Sequence, residues 1–243
     1  MRAIRVLSCL LLPLAITGAD RLVRHQYEGT LGPNRIGLTV LRRGNTIEGG
    51  HYFYQKYLRD ILLEGRVEGA HIKLTEKGEG TFDLHFVGNG SENGHPFDFE
   101  NSIGMEGTWT SSDGAHSYPV SLRGATVKES DGSPRYGDIT KESDAAFEER
   151  VQSFYRALLN GDKKTAARYI SYPLRVNLAA RKEKKVRNST EVLEQWDTIF
   201  TPAFVDKLRQ DLPHDMFVHD GMAMLGNGEA WFDSKGLAVV NFP

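Results

Sequence analysis

From Arg24 to Arg123 the apolar residues fall at every second position, in short runs broken by glycine. A period of two places each run on one face of a strand, so this alternation admits little besides an antiparallel sheet. Tyr27, Gly29 and Leu31 form the first run, and Ile36, Leu38 and Val40 the second. Ile61, Leu63, Gly65 and Val67 follow, then Ile72 and Leu74, then Phe82, Leu84 and Phe86. Ile103, Met105, Gly107 and Trp109 precede a last run of Tyr118, Val120 and Leu122. Together with the aromatic segment Gly49-Gly50-His51-Tyr52-Phe53-Tyr54, these runs predict about eight strands, enough to close a small up-and-down barrel. Arg43-Gly44-Asn45, Glu68-Gly69-Ala70, Gly78-Glu79-Gly80 and Asp113-Gly114 stand where hairpin turns belong. Closure removes exposed strand edges, which matters for a chain that has no disulfide to hold it.

The period changes in the second half. Residues 128–142 contain Asp131-Gly132-Ser133-Pro134 and few apolar groups, a linker composition. Beyond them Phe147, Val151, Phe154, Tyr155, Leu158 and Leu159 share one face of a helix, with Ser143 placed to cap it and Asn160-Gly161 to end it. Asp162 caps a second short helix, and Pro173 is expected to stop it. Leu174, Val176 and Leu178 alternate as a strand. Asn188-Ser189-Thr190-Glu191 is a capping-box pattern, and Thr201-Pro202 opens another helix. Met222–Leu225, Glu229–Phe232 and Leu237–Phe242 read as strands joined by Gly226-Asn227-Gly228 and Ser234-Lys235-Gly236.

This order of elements from Ser143 to Pro243 resembles the cone-shaped fold shared by nuclear transport factor two, ketosteroid isomerase and scytalone dehydratase. Tyr172-Pro173-Leu174 and Gly228-Glu229-Ala230-Trp231-Phe232 are the most specific pieces of the likeness. The resemblance implies a curved sheet wrapped on a long first helix, with a pocket at the open end. In the first half, Ile47–Lys56, Ile61–Gly65, Ile72–Glu76 and Gly107–Thr110 resemble the β domain of uncharacterised bacterial periplasmic proteins, which implies lipocalin-like or avidin-like geometry. The expected architecture is thus an all-β, barrel-like domain over residues 20–127, a linker over 128–142, and an α+β cone over 143–243.

The N-terminus sets the compartment. Arg2 and Arg5 precede an apolar run from Val6 to Ile16, and Thr17-Gly18-Ala19 supplies small residues for cleavage. That is the layout of a signal peptide over residues 1–19, too short to span a bilayer. The expectation is a periplasmic or secreted protein that does not span the membrane. Val6-Leu7-Ser8-Cys9 looks like a lipobox, but too few apolar residues precede it for that use. Cys9 is the only cysteine and leaves with the leader, so packing alone must hold the exported chain. Without Arg2 and Arg5 the chain carries 28 basic and 32 acidic residues, a net charge of −4, which gives no support for nucleic-acid binding.

The chemistry-bearing residues lie mostly in the second half. Tyr155, Tyr172, Trp196, Glu229 and Trp231 are the candidates for lining a pocket in the cone, where aromatic walls suit a small apolar ligand. An isomerase or dehydratase reading needs a buried carboxylate beside a tyrosine, with Asp197 and Glu229 as the available acids; the expectation is that Asp197 faces water and Glu229 pairs across the sheet. His214, Asp215, His219 and Asp220 have metal-ligand chemistry but lie between Pro213 and Gly221, so a surface loop is the favoured reading and no metal is expected. The run from Arg181 to Arg187 reads as a solvated hairpin tip. No nucleophile elbow or phosphate-binding glycine motif occurs, and no cofactor is implied. The leading expectation is a non-catalytic binding protein for a small apolar ligand or an envelope protein. A further alternative is a lysozyme-inhibitor or immunity-type protein that uses the polar segment Gly88–Asn101 as its contact loop.

Overall fold

The computed structural model describes residues 21–88, 94–178 and 182–242; the leader over 1–19 lies outside the described residues. Eight strands follow one another: β1 (Leu22–Leu31), β2 (Asn34–Arg43), β3 (Thr46–Tyr54), β4 (Ile61–Glu68), β5 (His71–Glu76), β6 (Gly80–Val87), β7 (Gly104–Ser111) and β8 (Ser117–Ser130). They pair in chain order and β8 returns to β1, so the meander is a closed barrel. The alternation read from the sequence is the alternation of the wall. Ile36, Leu38, Val40, Ile72, Leu74, Phe82, Leu84, Met105 and Leu122 are buried, while His71, Lys73, Asp83, His85 and Glu106 between them are exposed or half-buried. Gly29 and Gly107 sit in the runs because a side chain would not fit. A Cβ at either would lie 1.9 Å from the Ser121 carbonyl oxygen or 2.0 Å from that of Asp83.

The second sheet has six strands in the order β10-β9-β14-β13-β12-β11. These are β9 (Ile170–Leu178), β10 (Lys182–Val186), β11 (Phe217–His219), β12 (Met222–Leu225), β13 (Ala230–Phe232) and β14 (Leu237–Asn241). All neighbours are antiparallel except β9 and β14, the second and third strands of the order, which run parallel. The helices are α1 (Asp144–Leu159), α2 (Lys163–Ala167), α3 (Ser189–Glu194), α4 (Trp196–Ile199) and α5 (Pro202–Leu208). Their starts are the ones the sequence marks. The Ser143, Asp162, Asn188 and Thr201 side chains each accept from a first-turn N–H, satisfying a donor the helix itself leaves open.

Contacts divide the chain into two compact units. Among the described residues the first takes in those within 21–32, 38–52 and 62–131, and the second those within 33–37, 53–61 and 132–242. In the second unit Phe147, Val151, Phe154 and Leu158 of α1 pack with Leu174, Val176, Ala230, Phe232 and Val240 of the sheet.

Three local readings change. Pro173 does not end α2, which stops at Ala167; it lies inside β9, and its peptide bond with Tyr172 is cis. The stretch 128–142, a linker by composition, carries the end of β8 and the wholly buried Tyr136. The segment Gly88–Asn101 does not project as a free loop over its described part. Phe99 is buried against Phe86 at 4.8 Å, and Glu100 pairs with Arg42; residues 89–93 lie outside the described residues.

Candidate functional site

The register of the second sheet sorts its side chains into two opposed rows. Lys184, Val176, Val240, Ala230 and Leu225 face one another in the first row, whose apolar members are buried toward α1. One position along each strand, Lys185, Arg175, Val239, Trp231, Met224 and Phe217 form an unbroken row on the other side, since side chains alternate across a strand. That outer row has a cationic end on β9 and β10 and an apolar middle. Beside it lies a groove of about 190 Å³, roughly six water volumes, lined by Arg175, Asn177, His219, Asp220, Met222 and Trp231 over Val239 and Asn241.

The groove is held in shape by its own polar groups. Trp231 Nε1 and Asn241 Nδ2 both donate to the Gly228 carbonyl, at 3.1 and 2.5 Å, and Asn177 Nδ2 donates to Asn241 Oδ1 at 2.7 Å. These bonds fix the indole as one wall and the paired amides as another. Among the described residues, Arg175 has no carboxylate within salt-bridge distance, whereas Lys185 lies 3.7 Å from Glu183 and His219 lies 3.4 Å from Asp220.

The inner side is closed by charge as well as by packing. Around the start of α1, Arg135 places Nε 2.8 Å from Asp215, Nη1 2.8 Å from Glu148 and Nη2 2.9 Å from Asp60. His214 bridges Asp60 at 2.8 Å and Glu148 at 2.5 Å through its two ring nitrogens. Glu148 Oε1 also accepts from the Tyr136 hydroxyl at 2.7 Å and the Asp215 N–H at 3.0 Å, and Tyr136 in turn accepts from the Met216 N–H. Burial alone would push the His214 imidazole down, but its hydrogen bonds and charge interactions with Asp60 and Glu148 outweigh this and raise its pKa to about 9. Burial works against the Glu148 carboxylate too, yet His214 and then Arg135 hold it below its ordinary value. A buried carboxylate beside a tyrosine is therefore present, but Glu148 Oε1 already accepts from Arg135, Tyr136 and the Asp215 N–H, and Oε2 faces the His214 ring.

The five aromatic and acidic candidates fall into different places. Trp196 is buried against Phe200 at 4.4 Å, as part of the filled interior. Tyr172 packs on the same core and donates to the Ala167 carbonyl; burial raises its pKa to about 12. Tyr155 donates to the carbonyls of Arg209 and Asp211 at 3.2 Å each. Glu229 does not pair across the sheet: its nearest cation is Lys207 of α5 at 3.7 Å, and its Oε2 converges with an Asp211 oxygen over Gly226. Trp231 alone of the five lines the outer groove. Asp197 is exposed and pairs with Lys163 at 2.8 Å.

The histidine–aspartate cluster splits. His214 and Asp215 are buried in the network, while His219 and Asp220 remain exposed on the groove rim, and no group of metal-ligating side chains forms among the described residues. Of the basic run, Lys182–Val186 is strand β10 rather than a tip, and Arg181 lies outside the described residues.

The barrel buries charge more sparingly. Glu76 accepts from the Tyr52 hydroxyl at 2.8 Å and from Trp109 Nε1 at 2.5 Å. Arg42 donates through Nε to His25 at 2.9 Å; burial and then the Arg42 charge lower the His25 pKa to about 4. Neither the models of known protein families nor the curated proteins contain a match to this chain.

Proposed function

We propose that the chain is an exported, non-catalytic binding protein of the bacterial envelope, and that its ligand occupies the outer groove of the second sheet. The observation that carries this reading is the contrast at the sheet: the inner face is filled and its charges are paired with one another, while the outer face keeps a half-buried indole and Met222 beside a guanidinium, over the buried Val239. Catalysis of the isomerase or dehydratase kind calls for an acid with spare hydrogen-bonding capacity next to a substrate cavity. Asp197 is in water and Glu148 is committed to Arg135, Tyr136 and His214, which supports binding over catalysis.

The cone architecture belongs to the same proposal. Its support is the succession of two helices, a hairpin, further helices and four strands, with the parallel pair β9 and β14 inside the sheet. Export rests on the leader layout and on the lack of any cysteine after Cys9. No helix among the described residues is long and apolar enough to cross a membrane. The barrel has an apolar inside and a polar outside, the reverse of a barrel facing lipid.

A thermal-shift screen of small amphiphiles and envelope extracts tests the reading. A ligand at a hundred times its Kd stabilises by about 2.7 kcal/mol, enough to raise the midpoint by several degrees. The expected result is a shift that Trp231→Ala removes. A shift that survives Trp231→Ala, or none with any compound or extract, contradicts the proposal.

A further inference from the structure

The groove's lining also selects a class of ligand, an inference that rests on the reading of this groove as the binding site. The geometry points to a medium-chain carboxylate, its head held by Arg175 and its hydrocarbon body lying over Val239, Met222 and the face of Trp231. Three features of the lining carry it.

The first is charge. Five charged or titratable groups stand at or next to the groove on the strands and turn that form it: Arg175, Glu183, Lys185, His219 and Asp220. Lys185 has Glu183 beside it, and the Asp220 carboxylate stands exposed on the far rim with His219 at 3.4 Å. Arg175 is the groove-lining cation with no carboxylate within salt-bridge distance among the described residues, so an anionic head group is favoured at its end of the groove. A guanidinium presents two parallel N–H donors that match the two oxygens of a carboxylate. A phosphate dianion asks for a second cation, and among the described residues that line the groove Arg175 is the one lysine or arginine.

The second is the floor. Val239 lies directly opposite Arg175 in the β9–β14 register, and Trp231 directly opposite Val239. The cation and the apolar surface therefore lie along one straight row across the strands, about 5 Å from strand to strand. An amphiphile anchored at Arg175 has its body carried across the buried Val239 position onto the half-buried Trp231 with no bend. The indole N–H is committed to the Gly228 carbonyl, so the ring offers its apolar surface rather than a donor.

The third is size. A volume of about 190 Å³ is smaller than the sites that enclose drug-sized molecules. It fits the first several carbons of a chain and leaves the remainder along the row toward Met224 and Phe217.

Four probes of equal chain length separate the outcomes: octanoate, octyl phosphate, octanol and octylammonium, each titrated by calorimetry below its aggregation threshold. The expected order places octanoate first and octanol about tenfold weaker, with octylammonium weakest. Arg175→Gln is expected to bring octanoate down to the octanol level and to leave octanol unchanged. Equal binding of octanoate and octanol, with no effect of Arg175→Gln, overturns the carboxylate inference while the groove stands. Octyl phosphate binding tenfold tighter than octanoate, or octylammonium binding tighter than either, overturns it in favour of another head group. Failure of all four to bind, octanol included, overturns this inference; the wider screen with Trp231→Ala decides the site itself.

Discussion

The two faces of the six-stranded sheet are made of residues one position apart, yet they do opposite things. Val176, Val240, Ala230 and Leu225 are sealed against α1, while Arg175, Val239, Trp231 and Met224 form a face with a groove. Charge follows the same division. On the inner side Arg135 and His214 are enclosed by Asp60, Glu148 and Asp215, and on the outer side Arg175 has no carboxylate within salt-bridge distance among the described residues. An ion pair with all its partners makes a wall; a lone cation beside an aromatic floor makes a place for something else to bind.

The largest effects are expected on the inner side. Glu148→Ala leaves Arg135 and His214 buried without their shared acid and should cost about 3–5 kcal/mol of stability by chemical denaturation. Phe154→Ala opens a hole between α1, Phe200 and Phe232 and should cost a similar ~3–5 kcal/mol. By contrast Trp231→Ala should cost about 1 kcal/mol while removing the ligand-induced shift. A larger loss for Trp231 than for Phe154 would erase the difference between the faces.

Acidity sharpens the comparison. His214 has a raised pKa, so its stabilising contribution is fully present below the ordinary value of 6.5 and is lost as pH rises through about 9. Glu148 has a lowered one, so its contribution is present above 4.5 and is lost as pH falls below that. His25 in the barrel behaves in the opposite sense to His214: its pKa falls to about 4, and its contribution fades as pH drops from 6.5 toward 4. Melting curves of the chain and of His214→Gln between pH 6 and 10 should therefore differ most at the acid end and converge near pH 9 and above. Parallel curves would mean that His214 is not held as a cation.

The smallest effects test whether a ligand reaches the interior. Tyr155→Phe and Tyr172→Phe remove hydroxyls that serve only backbone carbonyls, at about 0.5–1.5 kcal/mol each, with no change in ligand affinity. Loss of binding in either variant would place the ligand on the inner face.

The barrel was legible because period two is a strong signal and because its turns are marked by Gly44, Gly69, Gly78 and Gly114 in left-handed backbone. Helix starts were legible for the same local reason, as at Ser143 and Thr201. The face to which Trp231 points was not. Its strand is three residues long and carries a register shift at Trp231/Phe232, so no alternation fixes it. The charge network was hidden because its members are far apart along the chain and none sits in a motif. Glu148 lies on α1 outside any motif, Arg135 in a stretch of linker composition, and His214 in an expected loop. The one local clue was Tyr136, an aromatic in a stretch otherwise poor in apolar groups.

The most direct measurement uses the methionine methyl groups as reporters placed on both sides. Met222 and Met224 lie on the outer face, while Met216 is in the core of the same unit and Met105 is inside the barrel. With 13C-methyl methionine NMR and added octanoate, the account predicts a shift at Met222, a smaller one at Met224, and none at Met216 or Met105. A response centred on Met216, with Met222 unmoved, would contradict it.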